Sequence, residues 1–102
     1  MKINTFKVMD CSTVHISNND ARLLEKALAG SDGPVLVVWY PEGYFVYTAS
    51  GWSKSRAQKE LVAAGFSQAF ADLMVIASEA GAKWLNVDAD GPEYKGLQKF
   101  DW

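Results

Sequence analysis

The hydrophobic pattern changes period several times along the chain, and each change marks an element. Near the start, Phe6 and Val8 stand among Thr5, Lys7 and Met9, and Val14 and Ile16 flank His15. Alternation of this kind predicts extended chain over 3–16, a length that favours a bend or bulge at 10–12. Ser17 followed by Asp20 is a capping-box pattern. Beyond it, Ala21, Leu24, Ala27 and Leu28 share one helical face, with Leu23 beside it and Gly30 expected just past the end. Val35–Tyr40 and Tyr44–Thr48 are β-branched and aromatic runs separated by Pro41-Glu42-Gly43. They predict a hairpin with a three-residue loop and Gly43 in the left-handed region.

After Gly51 and Trp52, Ser53 or Ser55 is placed to cap a helix whose apolar face is Ala57, Leu61 and Ala64. Gly65 ends it. Ser67 opens a second helix with Ala69/Phe70, Leu73, Ile76/Ala77 and Ala80 on its face, and Gly81 ends that one. Lys83–Asp88 reads as a strand with Leu85 and Val87 on one side and Trp84 on the other. Asp90-Gly91-Pro92 turns the chain, and Leu97, Phe100 and Trp102 are placed to pin the tail. The order β-α-β-β-(αα)-β predicts an α+β domain. Its sheet is antiparallel or mixed, of about four strands, with helices on one face, ferredoxin-like or a variant. Ferredoxin-like pairing runs the last strand antiparallel to the first, placing Asp88 near Lys2 and Asn4 rather than near Asp10.

Composition narrows the function classes. With 102 residues, 49 % apolar and 22 % charged, the chain is expected to form one domain over 1–102. One cysteine and one histidine cannot complete a four-ligand zinc site, and the lone Cys11 cannot form an internal disulfide. A net charge of −2 argues against coating DNA. No apolar run approaches the roughly 20 residues of a membrane span, and no secretory h-region is visible. The expectation is a cytoplasmic protein without membrane contact. Neither a phosphate-cradling glycine loop nor a nucleophile elbow is present, so no cofactor is expected.

Four clusters carry candidate chemistry. Cys11 and His15, with Asp88 as a third member, suggest a thiol nucleophile and its base, the core of a small hydrolase or transferase. Four residues of strand span about 13 Å, so the pair shares a face without touching unless the chain bends. The plainer alternative is a buried small hydrophobe and a locally bonded histidine. Asp88, Asp90 and Glu93 form a carboxylate cluster that lacks the further oxygen ligands of a calcium loop, so a solvated turn is expected and no metal. Lys54, Arg56 and Lys59 beside Trp52 would suit single-stranded nucleic acid, but Glu60 offsets them and nucleic-acid binding is not favoured. Four Trp, four Tyr and five Phe are a surplus for so short a chain, and such residues anchor protein contacts. Tyr40, Tyr44, Trp52, Asp88 and Asp90 are the candidate binding residues. A homodimer partner or the tail would cover the sheet face opposite the helices.

Asp10-Cys-Ser-Thr-Val-His-Ile-Ser17, Gly65-Phe-Ser67 and Trp84-Leu-x-x-Asp-x-Asp-Gly-Pro92, followed by Leu97-x-x-Phe-Asp-Trp102, span nearly the whole chain. Read together, they resemble the domain-of-unknown-function family five-nine-eight-three, small bacterial proteins of plasmids and other mobile elements. The resemblance brings no catalytic residue and no cofactor. It implies an accessory protein that binds a host or element-encoded protein, of the kind that blocks a host defence system such as CRISPR or restriction.

Overall fold

Leu85 and Val87 are wholly buried, which suits a strand in the middle of a sheet. The computed structural model describes residues 1–30 and 33–101, with 28–30 described by backbone alone. Strands β1 (Lys7–Ser12), β2 (Val37–Tyr40), β3 (Gly43–Tyr47) and β4 (Ala82–Asp88) form one sheet in the order β1-β4-β3-β2. Helices α1 (Asn18–Gly30), α2 (Lys54–Glu60) and α3 (Gln68–Glu79) complete an α+β fold whose element order is the expected one.

The strand pairing departs from the ferredoxin-like arrangement. β1 runs parallel to β4, with Asp10 beside Asn86 and Ser12 beside Asp88, while β4–β3 and β3–β2 are antiparallel. Asp88 therefore lies at the Asp10 end, not near Lys2 and Asn4. The physical reason is composition: β4 buries Leu85 and Val87 and takes a central place. β1, with Lys7, Val8 and Asp10 exposed, takes an edge, where polar residues are tolerated.

The hairpin is tighter than expected. Tyr40 pairs directly with Gly43, leaving Pro41 and Glu42 as the loop. Gly43 is inside β3, and its role is close approach: a Cβ there would run into the Val87 carbonyl of β4. After β1 the chain bends through a 3-10 turn, Thr13–His15, whose first N–H groups are met by Ser12 Oγ accepting from Val14 N at 3.2 Å.

Ser53 caps α2 and Ser67 caps α3, each accepting from the backbone three residues on. Between them Gly65 reverses the chain at φ 105°, a conformation costly for any residue with a Cβ. α3 is buried through Phe70, Ala71, Leu73, Met74, Val75 and Ala77, and packs on β4 and α2. Cys11, Val46, Leu85 and Val87 supply the facing side of the sheet. The Leu28 side chain and Trp102, both expected to pack, lie outside the described residues.

One carboxylate ties two helix starts together. Ser17 Oγ accepts from Asp20 N at 3.0 Å, and Asp20 Oδ2 accepts from Ser17 N at 2.9 Å, which completes the capping box of α1. The same fully buried Asp20 also accepts from Ser67 N at 2.7 Å and Ser67 Oγ at 2.6 Å, at the start of α3. Both helix dipoles favour negative charge at that point. Asp20→Ala leaves three donors unanswered and should destabilise the fold by about 3 kcal/mol, since hydrogen bonds to a charged group are worth roughly 1.5–3 kcal/mol. Ser67→Ala removes the α3 cap and one of those three donors and should cost about 2 kcal/mol. Urea unfolding of the two variants measures both, and equal, small losses would refute the two-helix role.

Candidate functional site

The thiol and imidazole near the N-terminus do not form a catalytic pair. Cys11 is buried, and that burial, followed by the charge of Asp10, pushes its thiol up to about 12. His15 has both ring nitrogens engaged. Its Nδ1 lies 2.9 Å from the Gln98 carbonyl, to which it donates, and its Nε2 accepts from Tyr94 N at 2.8 Å. The ring is a clasp for the tail, whose hold is extended by Ser12 N to Pro92 O at 2.8 Å and Phe100 N to Val14 O at 2.7 Å. Leu97 packs against the core beneath it. Asp88 lies one register step from Cys11, on the solvent side of β4. A thiol with this environment is inert.

The other face of the sheet is different in kind. Alternation along each strand sends Val8 and Asp10 of β1, Trp84, Asn86 and Asp88 of β4, Phe45 and Tyr47 of β3, and Val38 and Tyr40 of β2 away from the helices. Trp84 sits at the centre, edge-on to Tyr47 with ring centroids 5.0 Å apart and to Phe45 at 6.4 Å. Around these rings Phe6 is 59 % exposed, Val38 49 % and Val8 39 %. Phe6, Val8, Val38, Phe45 and Trp84 line one shallow apolar depression.

A polar corner closes one end of that face. Tyr40 reaches from β2 across Gly43 to β4, and its single hydroxyl proton is shared between Asn86 Oδ1 and Asp88 Oδ2, both at 2.5 Å. Asn86 Nδ2 donates on to Asp10 Oδ1 at 2.9 Å. Asp88 also accepts from Asp90 N at 2.7 Å, an Asx-turn that starts the reversal at Asp90-Gly91-Pro92. The Tyr40 bond, then that of Asp90 N, hold the Asp88 carboxyl below its ordinary range. Burial, then the bond to Asp88, pushes the Tyr40 hydroxyl up to about 12.

Of the candidate binding residues, the structure brings Tyr40 and Asp88 together at this corner, with Asp90 exposed in the adjoining turn. Two others belong to the interior. Trp52 is 3 % exposed beneath the Arg56 guanidinium, 3.9 Å from its ring centroid. Tyr44 points inward, where its hydroxyl donates to Glu25 Oε1 at 2.9 Å. Both were expected outside because irregular and turn-flanking aromatics look exposed; helix packing covers them. Arg56 is also bound to Glu60 Oε2 at 2.8 Å and to the Gly51 carbonyl at 2.6 Å, which leaves Lys54 and Lys59 as a thin basic footprint. Among the described residues, no three His, Cys, Asp or Glu side chains converge on a metal site. Also among them, no helix is long and apolar enough to cross a membrane.

Residues 8–102 match a family described as the C-terminal domain of DUF5983, a family of unknown function. The chain belongs to this family. No curated protein and no solved structure matches it. Membership confirms the resemblance seen in the motifs and assigns no residue a role, so roles rest on the geometry. Phe6, Val8, Val38, Phe45 and Trp84 were not among the candidate residues. Trp84 was legible as lying opposite Leu85 and Val87, but the pairing that gathers the five on one face was not.

Two outcomes check this site. A disulfide probe should label Cys11 of the native protein at least about 10-fold more slowly than the unfolded chain, because burial withholds both access and the thiolate; labelling at matched rates would restore the nucleophile. The raised Tyr40 value contributes stability that is complete below pH 10 and is lost as pH rises through about 12. Tyr40→Phe should therefore take one tyrosine's share out of the tyrosinate absorbance that develops towards pH 12 in an alkaline titration, where Tyr44 still contributes; an undiminished late rise would show that the Tyr40 hydroxyl is not held at this corner.

Proposed function

We propose that the chain is a non-enzymatic protein-binding accessory protein whose contact surface is the open face of its sheet. The carrying observation is the row of exposed Phe6, Val8 and Val38 around Phe45 and Trp84, on the side opposite the helices. A contiguous apolar patch with a polar border is what protein contacts use, and aromatic residues there bury large area at small entropy cost. Action by steric occlusion follows: the sheet covers a working surface of its target. The specific role this suits is that of a plasmid- or phage-borne inhibitor of a host defence system, of anti-CRISPR or anti-restriction type, working in the cytoplasm. The Asp10–Asp88 corner adds charge complementary to a basic nucleic-acid groove.

Affinity capture from a nuclease-treated host lysate tests this reading. One host protein should be retained in stoichiometric amount by the native chain and lost with Val38→Asp. Losing an anchor of such a surface costs about 2 kcal/mol or more, roughly 30-fold in affinity. Equal retention by the native chain and the variant would show that the open face is not the contact.

A further inference from the structure

The open face carries opposite charge at its two ends. The alternation of β4 breaks at its start: Ala82, Leu85 and Val87 are all buried, so Lys83 and Trp84 both lie off the core. The register slips at the same point, with Lys7 facing Ala82 and Val8 facing Trp84. An irregularity of this kind re-aims a side chain. Here it aims Lys83 at the open face, where its amine stands 5.4 Å from the centroid of the Phe6 ring. Five residues along the strand, about 16 Å away, stands Asp88, with Asp10 on the neighbouring strand. Among the described residues, the ion pairs are Arg56–Glu60 and Lys99–Glu93, so Lys83, Asp10 and Asp88 have their charges unpaired. The two carboxylates are held by neutral donors only, Asn86 and Tyr40 together with the Asp90 backbone.

A surface with a cation at one end, carboxylates at the other and apolar residues between is complementary to itself under a two-fold rotation. We infer that the open face binds a second copy of this chain, face to face about a two-fold axis through the Trp84–Phe45 centre. The Lys83 end of each copy then lies over the Asp10–Asp88 end of the other. The two sheets stack about 10 Å apart, the spacing of paired sheets, with Val8, Val38, Phe45 and Trp84 between them. An interface with its own two-fold places every contact twice, so one complementary charge arrangement counts at both ends. The dimer rests on the reading of this face as a protein contact and names its first occupant; a foreign target competes with the second copy for the same residues.

Sedimentation equilibrium from about 1 μM to about 1 mM tests the dimer, a span that reports dissociation constants up to about 1 mM. The native chain is expected to show twice the chain mass at the upper end. Lys83→Glu and Asp88→Lys should each weaken association at least 10-fold, because each places like charges at both ends of the interface. Mixed in equal amounts they should recover it, since the mixed dimer has one native end and one reversed but complementary end. Circular dichroism establishes that each variant is folded, and Val38→Asp, which keeps Lys83, Asp10 and Asp88 in place but sets a carboxylate among the apolar residues, should also abolish the dimer. A native chain that stays monomeric throughout overturns the inference, as do variants that associate as well as it does or a mixture that fails to recover. None of these outcomes touches the foreign-target reading, which is decided by the protein captured from the lysate.

Discussion

The buried carboxylate of Asp20 sets the layout on which the rest depends. It joins the start of α1 to the start of α3, two elements far apart in sequence, through Ser17 and Ser67. A charge placed there without partners would cost several kilocalories; with three donors aimed at it, it fixes where both helices begin. α3 is thereby held against the face of β4 that carries Leu85 and Val87. The helices gather on that side, and the opposite face of the sheet is left to carry Phe6, Val8, Val38, Phe45 and Trp84.

The two faces use the same residue types for different ends. Inside, aromatics fill volume: Phe66 and Phe70 stack at 4.5 Å, and Trp52 is sealed by Arg56. Outside, Trp84, Tyr47 and Phe45 contact each other edge-on and leave an apolar rim in solvent. The buried Cys11 and the doubly bonded His15 belong to the first group. Their proximity in sequence invites a catalytic reading, and the 3-10 turn that brings His15 inward turns it into a fastener for residues 94–98 instead. What distinguishes a working group from a structural one here is whether its hydrogen-bonding capacity is already spent.

Local signals were legible in the sequence because they are satisfied within a few residues. The Ser17–Asp20 box, the Ser53 and Ser67 caps, the reversal at Gly65 and the β2–β3 hairpin all answer to their immediate neighbours. The partner of β1 was not legible, because a strand with one apolar side satisfies several pairings and the choice is made by β4, some seventy residues away. The same gap explains the site. Tyr40 and Asp88 were identifiable as candidates, yet Trp84 and Val38 became neighbours on one surface only through the order β1-β4-β3-β2. Trp52 misled for the converse reason: an aromatic in an irregular segment gives no sign of the helix pair that closes over it.

On the proposal made above, the sheet face, and not the Cys11–His15 region, is where this molecule meets another. A concentration series of amide correlation spectra tests it residue by residue. The signals of Val8, Val38, Phe45 and Trp84 should move together as concentration rises, while those of Cys11, His15 and Leu73 stay in place. Shifts gathered on α2 and α3 would contradict it, and a spectrum that does not change across the range would remove the second copy as the occupant of this face.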